Sequence, residues 1–455
     1  MKLRYPICAI VFLVIASATL HAQTQGQTAQ ANTFGPYLYE TKPDHEAFAS
    51  FNPRKAPQPG DLLLRQGDRL AICGDSITEQ KMYSRIMETY LTVCVPQLEV
   101  TVRQYGWSGE KTDGFLRRMD KDCLTFKPTI ATLAYGMNDS RYRPFDVTNG
   151  RWYEDHYSAI VRNFKEHEVR VVVGSPGCAG KIANWVKSRS GTLEQHNLNL
   201  CALRDIAIAV AEKEDVRFAD IFWPMLQAQV FAPGQHHATD EKPYLVAGQD
   251  GIHPGWAGQV IMAWSMLRSL GLDGEIGTVA VDLGRQTATA SAGHVVDSVA
   301  NNKVTITSSR YPFCARGDLD DHNSIRSGMT LVPFSEDLNR FVLKVNVPAG
   351  TDWQVKWGDH SMQYNADQLA DGVNLAWDFP ENPFCDAFDR VDNAVAKKQA
   401  YETEQVKKEF HGREAKSDFD AVVSRTEAVR QPLADAIAEA FGPVTHTIEF
   451  RSIAK

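Results

Sequence analysis

The chain has 455 residues, 43% hydrophobic and 23% charged, with 31 Gly and 21 Pro, which excludes a collagen-like or wholly disordered protein. Its 48 basic and 56 acidic side chains leave a formal charge of −8, spread along the chain rather than blocked. Neither a nucleic-acid backbone nor an anionic membrane surface meets concentrated positive charge here, so no nucleic-acid partner is expected. At roughly 100–200 residues per domain, the length predicts two to four domains or one large domain with additions.

In chain order, Lys2 and Arg4 precede an apolar run over residues 7–20. That run is too short to span about 30 Å of hydrocarbon, and its basic flank and small-residue end fit an export signal. The signal is expected over residues 1–22, with cleavage after Ala22 or Ala18, and an uncleaved anchor is the alternative. No later run is long enough for stable membrane insertion, so a secreted or periplasmic location is expected. Cys8 falls inside the signal, leaving Cys73, Cys94, Cys123, Cys178, Cys201, Cys314 and Cys385. An odd number leaves one thiol unpaired, and none stands in a C-x-x-C pair that would suggest zinc or redox chemistry. Residues 23–67 are polar and dotted with proline, and read as an N-terminal arm laid over the first domain.

Residues 68–272 alternate short apolar runs with helical patterns. Strands are expected at 69–73, 98–105, 129–135, 169–173 and 216–221, and helices at 80–90, 114–123, 153–167, 197–213 and 255–270. Strands alternating with helices predict an α/β domain with a parallel sheet covered on both faces. Residues 273–380 change texture: Val304-Thr305-Ile306-Thr307 and Phe341-Val342-Leu343-Lys344-Val345 alternate with a period of two between Gly-containing turns. They predict a small antiparallel, sandwich-like β module. Residues 381–455 form a helical tail, with Phe384, Phe388, Val391, Val395 and Tyr401 at helical spacing, expected to pack on the first domain.

Ligands of open parallel sheets bind outside the carboxyl ends of the strands, which directs attention to the residues just after each one. The first strand ends in Gly74-Asp75-Ser76-Ile77-Thr78. Ser76 there suits a nucleophile whose own backbone N–H faces the developing oxyanion, and it equally suits a helix N-cap. The second strand is followed by Tyr105-Gly106-Trp107-Ser108-Gly109-Glu110, where Gly109 lets a backbone N–H approach a ligand, as an ordinary turn also would. The third ends in Gly136-Met137-Asn138-Asp139, in which Asn138 is either an amide donor or a turn former. Before the last helix stands Asp250-Gly251-Ile252-His253-Pro254. His253 could accept the serine proton while Asp250 holds the other imidazole N–H.

Four such blocks in this order resemble the SGNH hydrolases, the GDSL-type esterases and lipases, over residues 68–272. Gly74-Asp75-Ser76-Ile77 is similar to the family's first block, with Ile where Leu often stands. Gly109, Gly136-x-Asn138-Asp139 and Asp250-x-x-His253 match later blocks. The resemblance implies a three-layer, flavodoxin-like α/β domain with Ser76 as nucleophile, His253 as base and Asp250 as its orienting partner. It also implies an oxyanion hole from the Ser76 N–H, the Gly109 N–H and the Asn138 side chain. No Gly-x-Ser-x-Gly elbow of the α/β-hydrolases occurs in the chain.

Asp75, Trp107, Arg141 and Trp256 are candidate substrate contacts, the tryptophans as stacking faces for sugar rings or as core residues. Arg141, Tyr142 and Arg143 follow Asn138 and either line the cleft or sit idle on its rim. His236-His237 with Asp240 and Glu241 lacks metal-ligand spacing and reads as a polar loop. The expectation is therefore an exported serine esterase with no metal or organic cofactor, acting on a small-molecule or polysaccharide ester, with acetyl groups on carbohydrate preferred. Lipid ester or thioester hydrolysis, and an inactive glycan-binding protein, are the competing readings.

Overall fold

Alternation along β1 (Arg69–Gly74) builds the first layers: Leu70 and Ile72 point to one side of the sheet and Ala71 and Cys73 to the other, all buried. A computed structural model describes residues 37–186 and 191–453 of the chain. Four more strands pair in parallel with β1: β2 (Thr101–Gln104), β3 (Ile130–Ala134), β4 (Arg170–Gly174) and β5 (Arg217–Ala219). Their order is β2-β1-β3-β4-β5, so the direction of winding reverses between β1 and β3. A crevice opens at such a switch point, outside the carboxyl ends of those two strands.

Helix α1 (Ser76–Glu79) follows β1 and is separated from α2 (Tyr83–Val93) by Lys81 at φ 59°. The helix expected over 80–90 is α2, and the short α1 ahead of it is set off because one left-handed residue redirects the chain. Helices α3 (Thr112–Asp122), α4 (Val147–Glu166) and α5 (Leu193–Lys213) cover the Ala71 and Cys73 side through Phe115, Tyr157, Ile160 and Leu203. Helix α4 begins ahead of the expected 153 because the Asp146 carboxylate accepts the Asn149 N–H at 3.0 Å and caps it. The opposite side is covered by α2, α6 (Phe222–Gln235) and α7 (Trp256–Ser269), through Ile86, Met87, Met225, Val260 and Ile261. Helix α6 was not expected from the sequence: its buried Phe222, Trp223, Met225, Leu226, Ala228 and Ala232 surround most of its circumference, which erases the amphipathic period.

The second half of the chain carries two further sheets. Strands β6 (Glu275–Asp282), β7 (Thr287–Ala290), β8 (His294–Ala300), β9 (Lys303–Ser308), β10 (Arg340–Asn346), β11 (Asp352–Trp357), β12 (His360–Asn365), β13 (Val373–Asn374) and β14 (Val444–Ile453) assort as β13-β10-β6-β7 and β12-β11-β14-β9-β8. The expected antiparallel pairing holds except between β6 and β10, which run parallel with Thr278 opposite Val342. Strand alternation cannot reveal this, since period two is common to both pairings. The tail is not helical to its end: β14 returns to lie between β11 and β9 in the module. The module shares a continuous core with the α2 and α7 layer, and the Tyr90 hydroxyl donates to the Leu338 carbonyl at 2.6 Å across that boundary.

Two long tail helices, α8 (Cys385–Glu404) and α9 (Phe419–Ala440), pack on α2 and on the open edge of β2. An open edge exposes unpaired N–H and C=O groups, and here side chains rather than another strand satisfy them. Lys398 Nζ and Arg430 Nη2 donate to the Val102 carbonyl, and Glu402 Oε2 accepts the Gln104 N–H at 3.2 Å. The same charges neutralise one another: Lys398 lies 2.8 Å from Glu88 and 3.0 Å from Glu402, and Arg430 lies 2.7 Å from Glu402. The described part of the N-terminal arm packs Phe48 against Trp223 and Phe51 against Phe222. The export signal expected over 1–22 and the start of the arm lie outside the described residues. Among the described residues no helix is long and apolar enough to cross a membrane.

Candidate active site

The crevice between β1 and β3 gathers residues from every block singled out in the sequence. Asp75 is the N-cap of α1 and accepts the Ile77 N–H at 2.9 Å, so the capping role open to Ser76 belongs to its neighbour. Ser76, the first helical residue, is left half-buried with its hydroxyl directed across the crevice. His253 Nε2 stands 2.7 Å from Ser76 Oγ, and His253 Nδ1 stands 2.7 Å from Asp250 Oδ2. The other Asp250 oxygen accepts the backbone N–H groups of Ile252 and His253 at 2.9 and 2.8 Å, which fixes the carboxylate against the ring. Partial burial pulls the Asp250 carboxyl upward, but the bonds from the His253 N–H, the imidazole and the Ile252 N–H outweigh it and hold the group below its ordinary range. Asp250 is thereby kept as the anion that an imidazolium needs beside it.

Gly109 adopts φ +73°, a left-handed conformation that favours glycine, in the loop after β2. Among the described residues, no backbone carbonyl accepts the N–H of Ser76 or of Gly109. Asn138 projects between them from the loop after β3. Its amide nitrogen donates to Asp75 Oδ2 at 3.2 Å and to the Glu110 carbonyl at 3.1 Å, and its oxygen accepts the Tyr142 hydroxyl at 2.8 Å. Arg141 and Tyr142 occupy the left-handed region in succession, at φ 53° and 54°, which folds the Tyr142 ring back onto Asn138. Such residues cost on the order of 1–3 kcal/mol each and persist only where surroundings impose them. The surroundings here are α5 side chains: Asn199 donates to the Ser140 and Arg143 carbonyls, and His196 contacts the Ser140 hydroxyl at 2.9 Å. Burial drives the His196 imidazole down to about 4, so it serves that turn in its neutral form.

The candidate substrate contacts are distributed differently. Asp75 lies beneath the crevice rather than on its wall, and burial, together with the Asp139 and Glu110 carboxylates, pushes it up to about 7 against the bond from Ile77. Trp107 is covered rather than open for stacking: Arg118 and Lys407 lie 5.1 and 5.4 Å from its ring centroid and His411 meets it edge-on at 4.9 Å. Trp256 is half-buried at the start of α7 with the Arg85 guanidinium 5.8 Å away. Arg141 is exposed and rests over Trp152 at 5.3 Å. The aromatic face beside the crevice belongs instead to Trp185, which sequence reading passed over. It is 46% exposed, 5.6 Å from the His253 ring and 6.2 Å from Tyr142. Its position in the loop after β4, at the carboxyl edge of the sheet, is the signal that could have found it. Of the His236-His237 pair, His236 stacks on Tyr244 at 4.4 Å and contacts the Thr330 hydroxyl at 3.1 Å, and among the described residues no three His, Cys, Asp or Glu side chains gather as a metal site.

Comparison with known proteins bears on the same region. No curated protein matches the chain. Among solved structures, a gut microbial diltiazem-metabolizing enzyme has a similar fold, at TM-score 0.69 and 20% identity, covering 87% of this chain and 100% of that one. The β module and tail are therefore part of a fold found elsewhere as a whole. An acetylxylan esterase from Geobacillus stearothermophilus, solved as a catalytic mutant, aligns at TM-score 0.37 and 18% identity, over 46% of this chain and 97% of that one. Residues 72–261 match the family model of the GDSL-like lipase/acylhydrolase family, a span that contains Ser76, Gly109, Asn138, Asp250 and His253. Residues 72–261 are thus a GDSL-like lipase/acylhydrolase domain within the chain.

Proposed function

We propose that the chain is an exported serine esterase that removes short acyl groups, acetyl above all, from carbohydrate hydroxyls. The observation that carries the reading is the unbroken chain of contacts Ser76 Oγ to His253 Nε2 and His253 Nδ1 to Asp250 Oδ2, each 2.7 Å. Ser76 Oγ attacks the ester carbonyl carbon while its proton passes to His253 Nε2. The negative charge gathering on the carbonyl oxygen meets the N–H groups of Ser76 and Gly109, joined by the Asn138 amide as it exchanges its 3.2 Å bond to Asp75 for one to the oxyanion. Collapse breaks the bond to the alcohol, which leaves with the proton from Nε2. Water then attacks the acyl-enzyme, again losing a proton to His253, and the acid departs as Ser76 regains its hydrogen. Asp250 stays ionised throughout and stabilises the imidazolium.

The exposed Trp185 indole beside His253 supports a ring-bearing alcohol, because an aromatic face offers flat apolar contact to a sugar ring. Export rests on the basic-apolar pattern of residues 1–22. The test is hydrolysis of p-nitrophenyl acetate by the parent and by Ser76→Ala, with acetate release from acetylated xylan or pectin measured alongside. Ser76→Ala is expected to lose at least about 10³-fold in kcat. Equal hydrolysis by both proteins would overturn the assignment. Along a series from acetate to palmitate, activity is expected to fall steeply, and a preference for palmitate would move the substrate to lipid esters.

A further inference from the structure

The loop carrying Gly109 is short, and an oxyanion donor must be held to within tenths of an ångström to act on the transition state. Part of its support is local. The Trp107 N–H donates to the Gly74 carbonyl at 3.1 Å, and Gly106 lies so close to α1 that a Cβ there would fall 2.2 Å from the Glu79 nitrogen. Ser108, next to Gly109, gives both its backbone N–H and its hydroxyl to one oxygen of Glu79, at 2.5 and 2.6 Å. Glu79 closes the same short helix that Ser76 opens, so one carboxylate ties the nucleophile's helix to the oxyanion loop.

What holds that carboxylate comes from the far end of the chain. Lys407 Nζ contacts both Glu79 oxygens, at 2.7 and 2.8 Å, across 328 residues of sequence. Lys407 stands in a π-helical turn over Gln405–Glu409, the kind of one-residue insertion that re-aims side chains and recurs at functional sites. The residues that follow it reach both the loop and α3 behind it. His411 meets Trp107 edge-on and contacts Asp122 Oδ2 at 2.7 Å, while Lys121 of α3 donates to the Phe410 carbonyl at 2.9 Å. Lys407 is only 27% exposed, so its charge is poorly screened, and with the Ser108 donors it holds Glu79 below the ordinary carboxylate range despite partial burial.

We propose that the helical tail is part of the esterase machinery, with Lys407 a positioning residue that fixes the Gly109 oxyanion donor through Glu79 and Ser108. The proposal rests on the esterase reading for its kinetic consequence but not for its structural one. Two measurements therefore run together on the full chain: amide hydrogen exchange across residues 105–111, and steady-state kinetics on p-nitrophenyl acetate. In Lys407→Met, exchange in the loop is expected to quicken about tenfold, because the opening that the ion pair opposes becomes easier. The kcat is expected to fall about tenfold with KM little changed, and the inhibition constant of a boronic acid that mimics the tetrahedral intermediate to rise by the same factor. Lys407→Arg is expected to restore both readouts to within about threefold of the parent, since the guanidinium can still meet a carboxylate. Unchanged loop exchange in Lys407→Met would overturn the proposal whatever the kinetics. So would a fall in kcat with unchanged boronate affinity, or equal loss in the Met and Arg variants. Failure of the esterase reading is seen separately, as hydrolysis that survives Ser76→Ala.

Discussion

The two sides of the crevice over Ser76 are assembled by opposite strategies. On one side Asp250 and His253 lie three residues apart, and their own backbone N–H groups fix the carboxylate that orients the ring. That geometry is local, and a short motif suffices to specify it. On the other side the Gly109 loop is fixed by Glu79, by Arg118 through Glu110, and by Lys407 and His411 of the tail. That geometry is distributed, and no short motif contains it. Changes on the local side should therefore strike chemistry alone, whereas changes on the distributed side should reach stability and chemistry together.

The largest effect expected is on the local side. Asp250→Asn keeps the shape but presents the imidazole with an amide in place of an anion, and kcat should fall about 10³–10⁴-fold with the unfolding transition nearly unmoved. A loss below tenfold would mean that His253 is oriented by something other than Asp250. Next comes the buried charge network under the tail. Glu402→Ala leaves Lys398 and Arg430 buried without their shared carboxylate and should cost about 3–5 kcal/mol, read from urea unfolding. Lys303→Ala, which breaks an exposed pair with Glu449, should cost less than about 0.5 kcal/mol. Similar values for the two would show that the tail is docked loosely.

A pH-dependent effect concerns Asp75, beneath the site. Burial first, then the neighbouring Asp139 and Glu110 carboxylates, raise it from 3.8 to about 7. Between those values the folded state holds a proton that the unfolded chain has lost, so this group's contribution falls as pH rises and levels off above about 7. Asp75→Asn removes the titration. The parent should therefore lose about 2 kcal/mol of stability relative to the variant from pH 5 to pH 7.5. A constant difference would mean that Asp75 is ionised across the whole range.

Much of the first domain is legible in the sequence, because strands buried on both faces read as short apolar runs and each functional block directly follows or precedes an element. The elements that escaped did so for physical reasons. Helix α6 is apolar around most of its surface, the break at Lys81 depends on one φ angle, and the parallel pairing of β6 with β10 has the same period as an antiparallel one. Trp107 and Trp256 adjoin functional blocks in the sequence, but adjacency along the chain is not adjacency to the crevice. Trp107 turns away under Arg118 and the tail, while Trp185, in a loop without a motif, supplies the open face.

The types of chemistry available are written along the chain: a serine after the first strand, a His-Asp pair sharing one turn, a glycine where a left-handed loop is needed. These are local facts, settled by side-chain identity and by backbone preferences over three to five residues. How the distributed half is held depends on long-range packing. Lys407 reaches Glu79, Lys398 and Arg430 satisfy the edge of β2, and β14 returns to the centre of a sheet begun far earlier in the chain. Such contacts form between groups hundreds of residues apart, where the gain from pairing charges and backbone groups exceeds the entropy of bringing them together, and no period or motif along the chain records that balance.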